Sequence, residues 1–275
     1  MKYKLLVLDI DGTLTNSHKK ITLFTKKTLY KLQKNGVKIA LASGRPTYGI
    51  MPVAKELELD RFGGYIISFN GGRIVDCSNG KVLYEKTMPV PMIQRLYKLS
   101  KENKVPIVTY QDRYLITEDP DHIYVKHESE INQMEIKQVD SFPDYVDFPV
   151  TKCLMVEDGD YLAEVESKVK AAIGDELSIY RSDPFFLEIM PRNIDKSISL
   201  RALSKYRNIS HEEMVACGDG FNDRSMIQYA GFGVAMENAQ DIVKKAADYI
   251  APTNDEDGVA FVVNQFMLNS KLARV

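Results

Sequence analysis

Little in this sequence ties it to a disulfide scaffold, a membrane or a nucleic acid. Its 275 residues include three cysteines and no tryptophan. Cys77, Cys153 and Cys217 are odd in number, widely spaced and without a C-x-x-C pair, which excludes a disulfide framework and a thiolate zinc site and fits a reducing compartment. No charge of one sign dominates: 36 Lys and Arg face 38 Asp and Glu, for a formal net charge of -2. Bulk attraction to nucleic acid or to an anionic membrane is therefore not expected. The apolar run at the N-terminus, Leu5 to Leu8, stops at Asp9, far short of a signal segment or a spanning helix. The expectation is a soluble, cytoplasmic protein whose partner is a small molecule, and which is a monomer or a weak homo-oligomer.

Several sites are also missing. The histidines His18, His122, His127 and His211 form no i, i+4 pair, so a helical histidine metal site is not expected. No G-x-x-x-x-G-K-S/T string exists, and Gly218 to Asp223 lacks the third glycine of a dinucleotide fingerprint. Asp9 to Leu14 is not a calcium loop, because Leu14 stands where the sharp turn needs glycine.

What is present is an ordinary globular composition, 44% apolar and 27% charged, enough for one large domain or two modest ones. Leu5 to Leu8 and Val37 to Ala42 are short continuous apolar runs, as expected for strands buried on both faces. Between them Thr22 to Asn35 has helical spacing and Gly36 as its stop, which makes a βαβ unit. A helix over Tyr48 to Leu59, a strand over Tyr65 to Phe69 and a hairpin over Arg73 to Lys86 follow. The alternation resumes near the C-terminus: helix Lys196 to Tyr206, strand Met214 to Cys217, helix Asn222 to Tyr229, strand Phe232 to Met236, helix Ala239 to Ala247 and strand Tyr249 to Ala251. Between these arms, hairpins mix with helices. The reading is a Rossmann-like α/β parallel-sheet core, residues 1–87 and 188–275, interrupted by an α+β insert over residues 88–187.

Four strings carry chemistry. In Asp9-Ile10-Asp11-Gly12-Thr13 two carboxylates stand at i and i+2 where a buried strand ends, so both can face the carboxyl edge of the sheet. Like charges there require a cation, and Mg²⁺, a hard ion with oxygen ligands, would keep them ionised. Gly12 permits a tight turn with amides toward an anion, and Thr13 adds a hydroxyl. Gly218-Asp219-Gly220-Phe221-Asn222-Asp223 follows a second such strand, and in an open parallel sheet strand ends converge on one crevice. Ala42-Ser43-Gly44-Arg45 lies at a strand-to-helix junction that suits a phosphate, with Ser43 as donor and the adjoining Gly44 and Arg45 as contacts. Lys196 opens a helix, where a cation is disfavoured unless an anion is near.

In this order the four strings resemble the haloacid dehalogenase (HAD) superfamily of phosphohydrolases, and the whole chain looks like its Cof-type sugar-phosphate phosphatases. Gly233 to Ala239 and Thr253 to Gly258 are similar to that family's C-terminal segment. The resemblance implies that Asp9 is the nucleophile and Asp11 the general acid and base. It implies that Asp9, the carbonyl of Asp11 and Asp219 ligate Mg²⁺, with Asp223 a lesser or indirect ligand. Thr13, Ser43, Lys196 and Asn222 would hold the phosphoryl group, and the Asn70-Gly71 loop would lie beside the substrate. Where the family commonly has glycine after the motif lysine, this chain has Ser197.

Asp11 to Ser43 spans 32 positions, too few for a domain, whereas Ser43 to Lys196 spans 153. The insert therefore lies in the second gap, the position of a C2-class cap, and its α+β pattern matches the larger C2B type. Tyr110, Arg113, Arg181 and Asp183 are its candidate contacts to a substrate. The resulting expectation is Mg²⁺-dependent hydrolysis of a small phosphomonoester. A phosphosugar mutase using the same aspartyl phosphate and a non-enzymatic metabolite-binding regulator stay open as alternatives.

Overall fold

A computed structural model describes residues 2–268. The chain's first strands are β1 (Leu5–Leu8), β2 (Lys38–Ala42), β3 (Tyr65–Ser68), β4 (Arg73–Asp76) and β5 (Val82–Glu85). The insert contributes β6 (Ile107–Gln111), β7 (Tyr114–Thr117), β8 (Glu135–Gln138), β9 (Cys153–Val156), β10 (Leu177–Asp183) and β11 (Phe186–Pro191). The returning chain adds β12 (Met214–Gly218), β13 (Phe232–Met236) and β14 (Tyr249–Ala251).

Eight strands form one sheet in the order β14-β13-β12-β1-β2-β3-β4-β5. The first six in that order are parallel, and β4 joins β3 antiparallel. The strands read as uninterrupted apolar runs because each face meets helices. On one face Leu6, Leu8, Ile39 and Leu41 pack with Leu29 and Leu32 of the Leu23–Lys34 helix, and with Val259 and Val262 near the C-terminus. On the other, Leu5, Val7, Ala40 and Ala42 pack with Leu200 and Leu203 of the Lys196–Arg207 helix. Burying each of these leucine, isoleucine and valine side chains stabilises the fold by ~1.5–3 kcal/mol. This is the α/β parallel-sheet core expected from the sequence.

The helix bounds follow their caps. Thr22 accepts the amide of Thr25 at the start of the Leu23–Lys34 helix, and Asn35 ends it. Asp195 accepts the amides of Ser197 and Ile198 at 2.7 and 3.0 Å, opening the helix that carries Lys196. The expected helix over Tyr48 to Leu59 is two pieces, Thr47–Glu56 and Leu59–Phe62. The helix expected from Asn222 begins as a 3-10 turn, Phe221–Asp223, and becomes α-helical over Arg224–Tyr229. The one over Ala239 to Ala247 is shorter, Asp241–Lys244.

The six insert strands form a separate mixed sheet in the order β10-β11-β9-β6-β7-β8. One face, with Ile107, Met155, Leu187 and Ile189, packs with Ile93 and Leu96 of the Val90–Glu102 helix and Val165 and Val169 of the Gly159–Ile173 helix. By its contacts the chain divides into two compact units: one comprises Ile50–Tyr84 and the stretches before Arg45 and after Ile194, the other Arg45–Gly49 and Glu85–Ile194. The division by contacts at 194/195 lies seven residues beyond the boundary expected at 187/188. The latter would cut β11, which runs to Pro191 and pairs with both β10 and β9.

The insert's candidate contacts have structural partners. The Tyr110 hydroxyl donates to Glu128 at 2.7 Å. Arg181 pairs with Glu166 and donates to the carbonyls of Gly159 and Pro184, bracing the turn after β10. Arg113 lies over the ring of Tyr114, and Asp183 is exposed at the end of β10.

Candidate active site

The central neighbours β1, β12 and β2 end at the same edge, because their parallel register sets Leu8 opposite both Cys217 and Leu41. Asp9, Asp219 and Ser43 therefore emerge side by side from three separate stretches of sequence. The amide of Asp9 continues the ladder to the carbonyl of Cys217 at 3.1 Å.

Asp9, Asp219 and Asp223 each bring a carboxylate oxygen within 4.8 Å of the others. Lys196, fully buried, donates from Nζ to Asp9 at 2.7 Å and to Asp223 at 2.5 Å. This explains a lysine at a helix start: its side chain leaves the positive end of the helix dipole for two carboxylates. Burial pushes the Asp9 carboxyl well above its ordinary value, and the repulsion of Asp223 adds to that against the pull of Lys196. Burial also raises Asp219, with the Thr13 hydroxyl opposing. For Lys196 burial acts downward, but Asp223 and Asp9 outweigh it and the ammonium is held more firmly than usual.

Three carboxylates against one ammonium leave a formal surplus of two negative charges in a largely buried cluster. Hard oxygen donors at this spacing and a surplus of that size fit a divalent cation such as Mg²⁺. The pressed-together loops leave no room for side chains at the glycines. Gly12 has φ +82, and a Cβ there would overlap the Asp219 carboxylate.

The expected residues divide by what they touch. Asp223 is committed on both oxygens: Oδ1 accepts Lys196, and Oδ2 accepts the amides of Asp219 and Gly220 at 3.0 and 2.9 Å. It organises the loop and the lysine more than it offers itself to a metal. The Thr13 hydroxyl, expected on phosphate, donates instead to Asp219 Oδ1 at 2.7 Å and orients that carboxylate. Asp11 pairs with Lys19 at 2.9 Å. Ser43 is buried, its amide donating to Ile67 and its carbonyl accepting from Asn70. Asn222 donates to Asn70 Oδ1 at 2.9 Å, and a Cβ on Gly44 would sit 3.2 Å from the same Asn70 amide group. Arg45 belongs by its contacts to the other compact unit.

The haloacid dehalogenase-like hydrolase family matches this chain over residues 6–263. The chain belongs to that family. Within it, it is a Cof-type phosphatase, a phosphoric monoester hydrolase. It is 32% identical over 266 residues to the 5-amino-6-(5-phospho-D-ribitylamino)uracil phosphatase YcsE of Bacillus subtilis, covering 96% of each chain. A haloacid dehalogenase-like hydrolase from Bacteroides thetaiotaomicron of solved structure is 45% identical, with a TM-score of 0.93 over 96% of this chain and 100% of that one. The HAD subclass IIB sugar phosphatase BT4131 is 26% identical, with a TM-score of 0.78 over 96% of this chain and 98% of that one.

Three residues of this haloacid dehalogenase-like chain escaped the sequence reading of the site. The spacing of Lys19, Lys20, Lys26, Lys27 and Lys31 suits a solvated helix face, but the helix begins at Leu23, and Lys19 lies in the preceding turn at φ 58 with its ammonium on Asp11. Asn238 donates to the carbonyl of Gly12 at 2.8 Å, and Asn254 donates to that of Thr15 at 2.9 Å. Both tie the C-terminal segment to the first loop. Both lie inside the strings that resemble the family's C-terminal segment, but their partners, more than 200 positions away, gave them no role in the sequence. Ser197 in place of glycine leaves the helix start intact, its amide capped by Asp195.

Proposed function

We propose that this phosphatase hydrolyses small phosphomonoesters, sugar phosphates foremost, with Mg²⁺ and through an aspartyl phosphate on Asp9. The reading rests on one observation: Asp9, Asp219 and Asp223 meet around Lys196 at the sheet edge where the Ser43 loop also ends. Likeness to BT4131, described as a sugar phosphatase, supports the substrate class.

Asp9, Asp219 and the carbonyl of Asp11 would hold the Mg²⁺, which when bound neutralises charge on the phosphoryl oxygens. An Asp9 carboxylate oxygen attacks phosphorus, the bond from phosphorus to the ester oxygen breaks, and the departing alkoxide takes a proton from Asp11. Water then attacks phosphorus, giving its proton to Asp11, and the bond to Asp9 breaks to release inorganic phosphate. Ser43 and Lys196 face the equatorial oxygens, where charge gathers in a loose transition state, with Asn222 orienting them. Lys19 pairs with Asp11 at 2.9 Å, and substrate binding must displace that pair before Asp11 can serve as acid. The insert acts as a C2B-like cap that excludes water and selects the leaving group.

The test is phosphate release across a panel of sugar phosphates and other phosphorylated metabolites, with Mg²⁺ and with chelator. We expect turnover of sugar phosphates that falls at least ~100-fold on chelation and returns with Mg²⁺. Turnover indifferent to chelation contradicts the metal assignment. Isomerised phosphosugar at constant inorganic phosphate contradicts hydrolysis in favour of a mutase.

A further inference from the structure

The Phe69–Gly71 turn holds a position in the site that the reaction scheme does not use. Three consecutive residues are left-handed: Phe69 at φ 52, Asn70 at φ 53 and Gly71 at φ 103. For a bulky residue such as Phe69 that conformation is costly and persists only where its surroundings enforce it. Those surroundings are the site's other loops. The amide of Asn70 donates to the carbonyl of Ser43 at 3.0 Å. Its Oδ1 accepts from Asn222 at 2.9 Å, which joins the Ser43 and Asp219 loops. A Cβ on Gly71 would overlap the carbonyl of Asp195 and lie 3.1 Å from Ser199 Oγ. Asp195 is the residue that caps the helix bearing Lys196, and the Ser199 hydroxyl donates to the carbonyl of Lys196 at 2.9 Å.

We infer that Asn70 and Gly71 are positioning residues: this turn registers Ser43, Lys196 and Asn222 against one another, and Asn70 acts through Asn222 instead of touching substrate. The sequence reading placed both residues beside the substrate. The geometry gives each a different task. Asn70 is the clasp between two phosphate loops, and Gly71 is the only residue type whose lack of a side chain lets the Lys196 helix start seat against the turn. The inference rests on the phosphatase reading, in which those three residues hold the phosphoryl group.

The test is a double-mutant cycle with Asn70→Gly and Asn222→Ala, using 4-nitrophenyl phosphate and Mg²⁺. Asn70→Gly keeps the left-handed backbone accessible and removes the whole side-chain amide, with it the oxygen that accepts from Asn222. It should lower kcat about tenfold with KM within ~2-fold, and cost less than ~2-fold when Asn222 is already alanine, because the shared bond is gone. Equal losses in both backgrounds, or a raised KM with kcat unchanged, overturn the inference in favour of direct substrate contact. Gly71→Ala should cost about 100-fold in kcat by displacing Lys196. Should that variant fail to fold, the asparagine cycle decides alone. If the unmodified enzyme releases no phosphate, the phosphatase reading has failed, and the same cycle read by urea unfolding decides the clasp. Non-additive losses in stability support it, and additive ones overturn it.

Discussion

Asp9→Asn abolishes phosphate release, lowering kcat by at least ~10⁴-fold, while the protein folds as before. An amide has no nucleophilic oxygen of carboxylate strength, so the first bond to phosphorus cannot form. The fold survives because the substitution is nearly isosteric and its Oδ1 still accepts from Lys196 Nζ, now at 2.7 Å from Asp9. Burial and the repulsion of Asp223 already raise the Asp9 carboxyl above its ordinary value, so its charge is a burden in the metal-free protein. A neutral side chain removes that burden. Steady-state kinetics with a thermal melt beside them check the prediction. Activity within tenfold of the parent enzyme contradicts the assignment.

Lys196→Met should do damage of two kinds. Lys196 is fully buried and serves two carboxylates, so its loss leaves buried like charges facing each other, at a cost of ~3–5 kcal/mol. If Lys196 meets the transferring group as proposed, its removal should lower kcat by a further ~10²–10³-fold factor. Urea unfolding in chelator should show the full destabilisation, and Mg²⁺ should restore part of it, because a cation can take up the charge that the lysine balanced. A loss of stability below ~1 kcal/mol, or one that Mg²⁺ deepens, contradicts the picture of a shared cation site.

The core and the places of the clustered side chains were legible because each stands where a local pattern changes. Asp9, Ser43 and Asp219 follow apolar runs that can only be strands buried on both faces, and Lys196 opens a helix that its sequence neighbours define. Parallel order then brings strand ends to one edge without further information. What connects those ends was not legible. The bond from Thr13 to Asp219 spans 206 positions, and the pair that places Asn222 on Asn70 spans 152. Thr13 thus reads as a phosphate donor until its distant partner is seen. Lys19 reads as helix surface because a left-handed backbone at a lysine carries no sequence signal. In the insert, β8 leaves little sequence signal because Glu135–Gln138 lies at a sheet edge, where little burial is required. The end of the insert was hard to place because β11 runs on from Phe186 to Pro191 with no break in its burial.

The most direct measurement is chemical trapping of the phosphoryl group on the Asp11→Asn variant. With 4-nitrophenyl phosphate the leaving group departs without an acid, so the first step proceeds, but the base that activates water is gone. The variant, mixed with substrate and Mg²⁺, quenched in acid, reduced with borohydride and digested, should carry the modification on the peptide that contains Asp9. It should also show a nitrophenolate burst of about one equivalent per site. A burst with the phosphoryl group on another residue, or slow turnover with no burst and no modified peptide, contradicts the account.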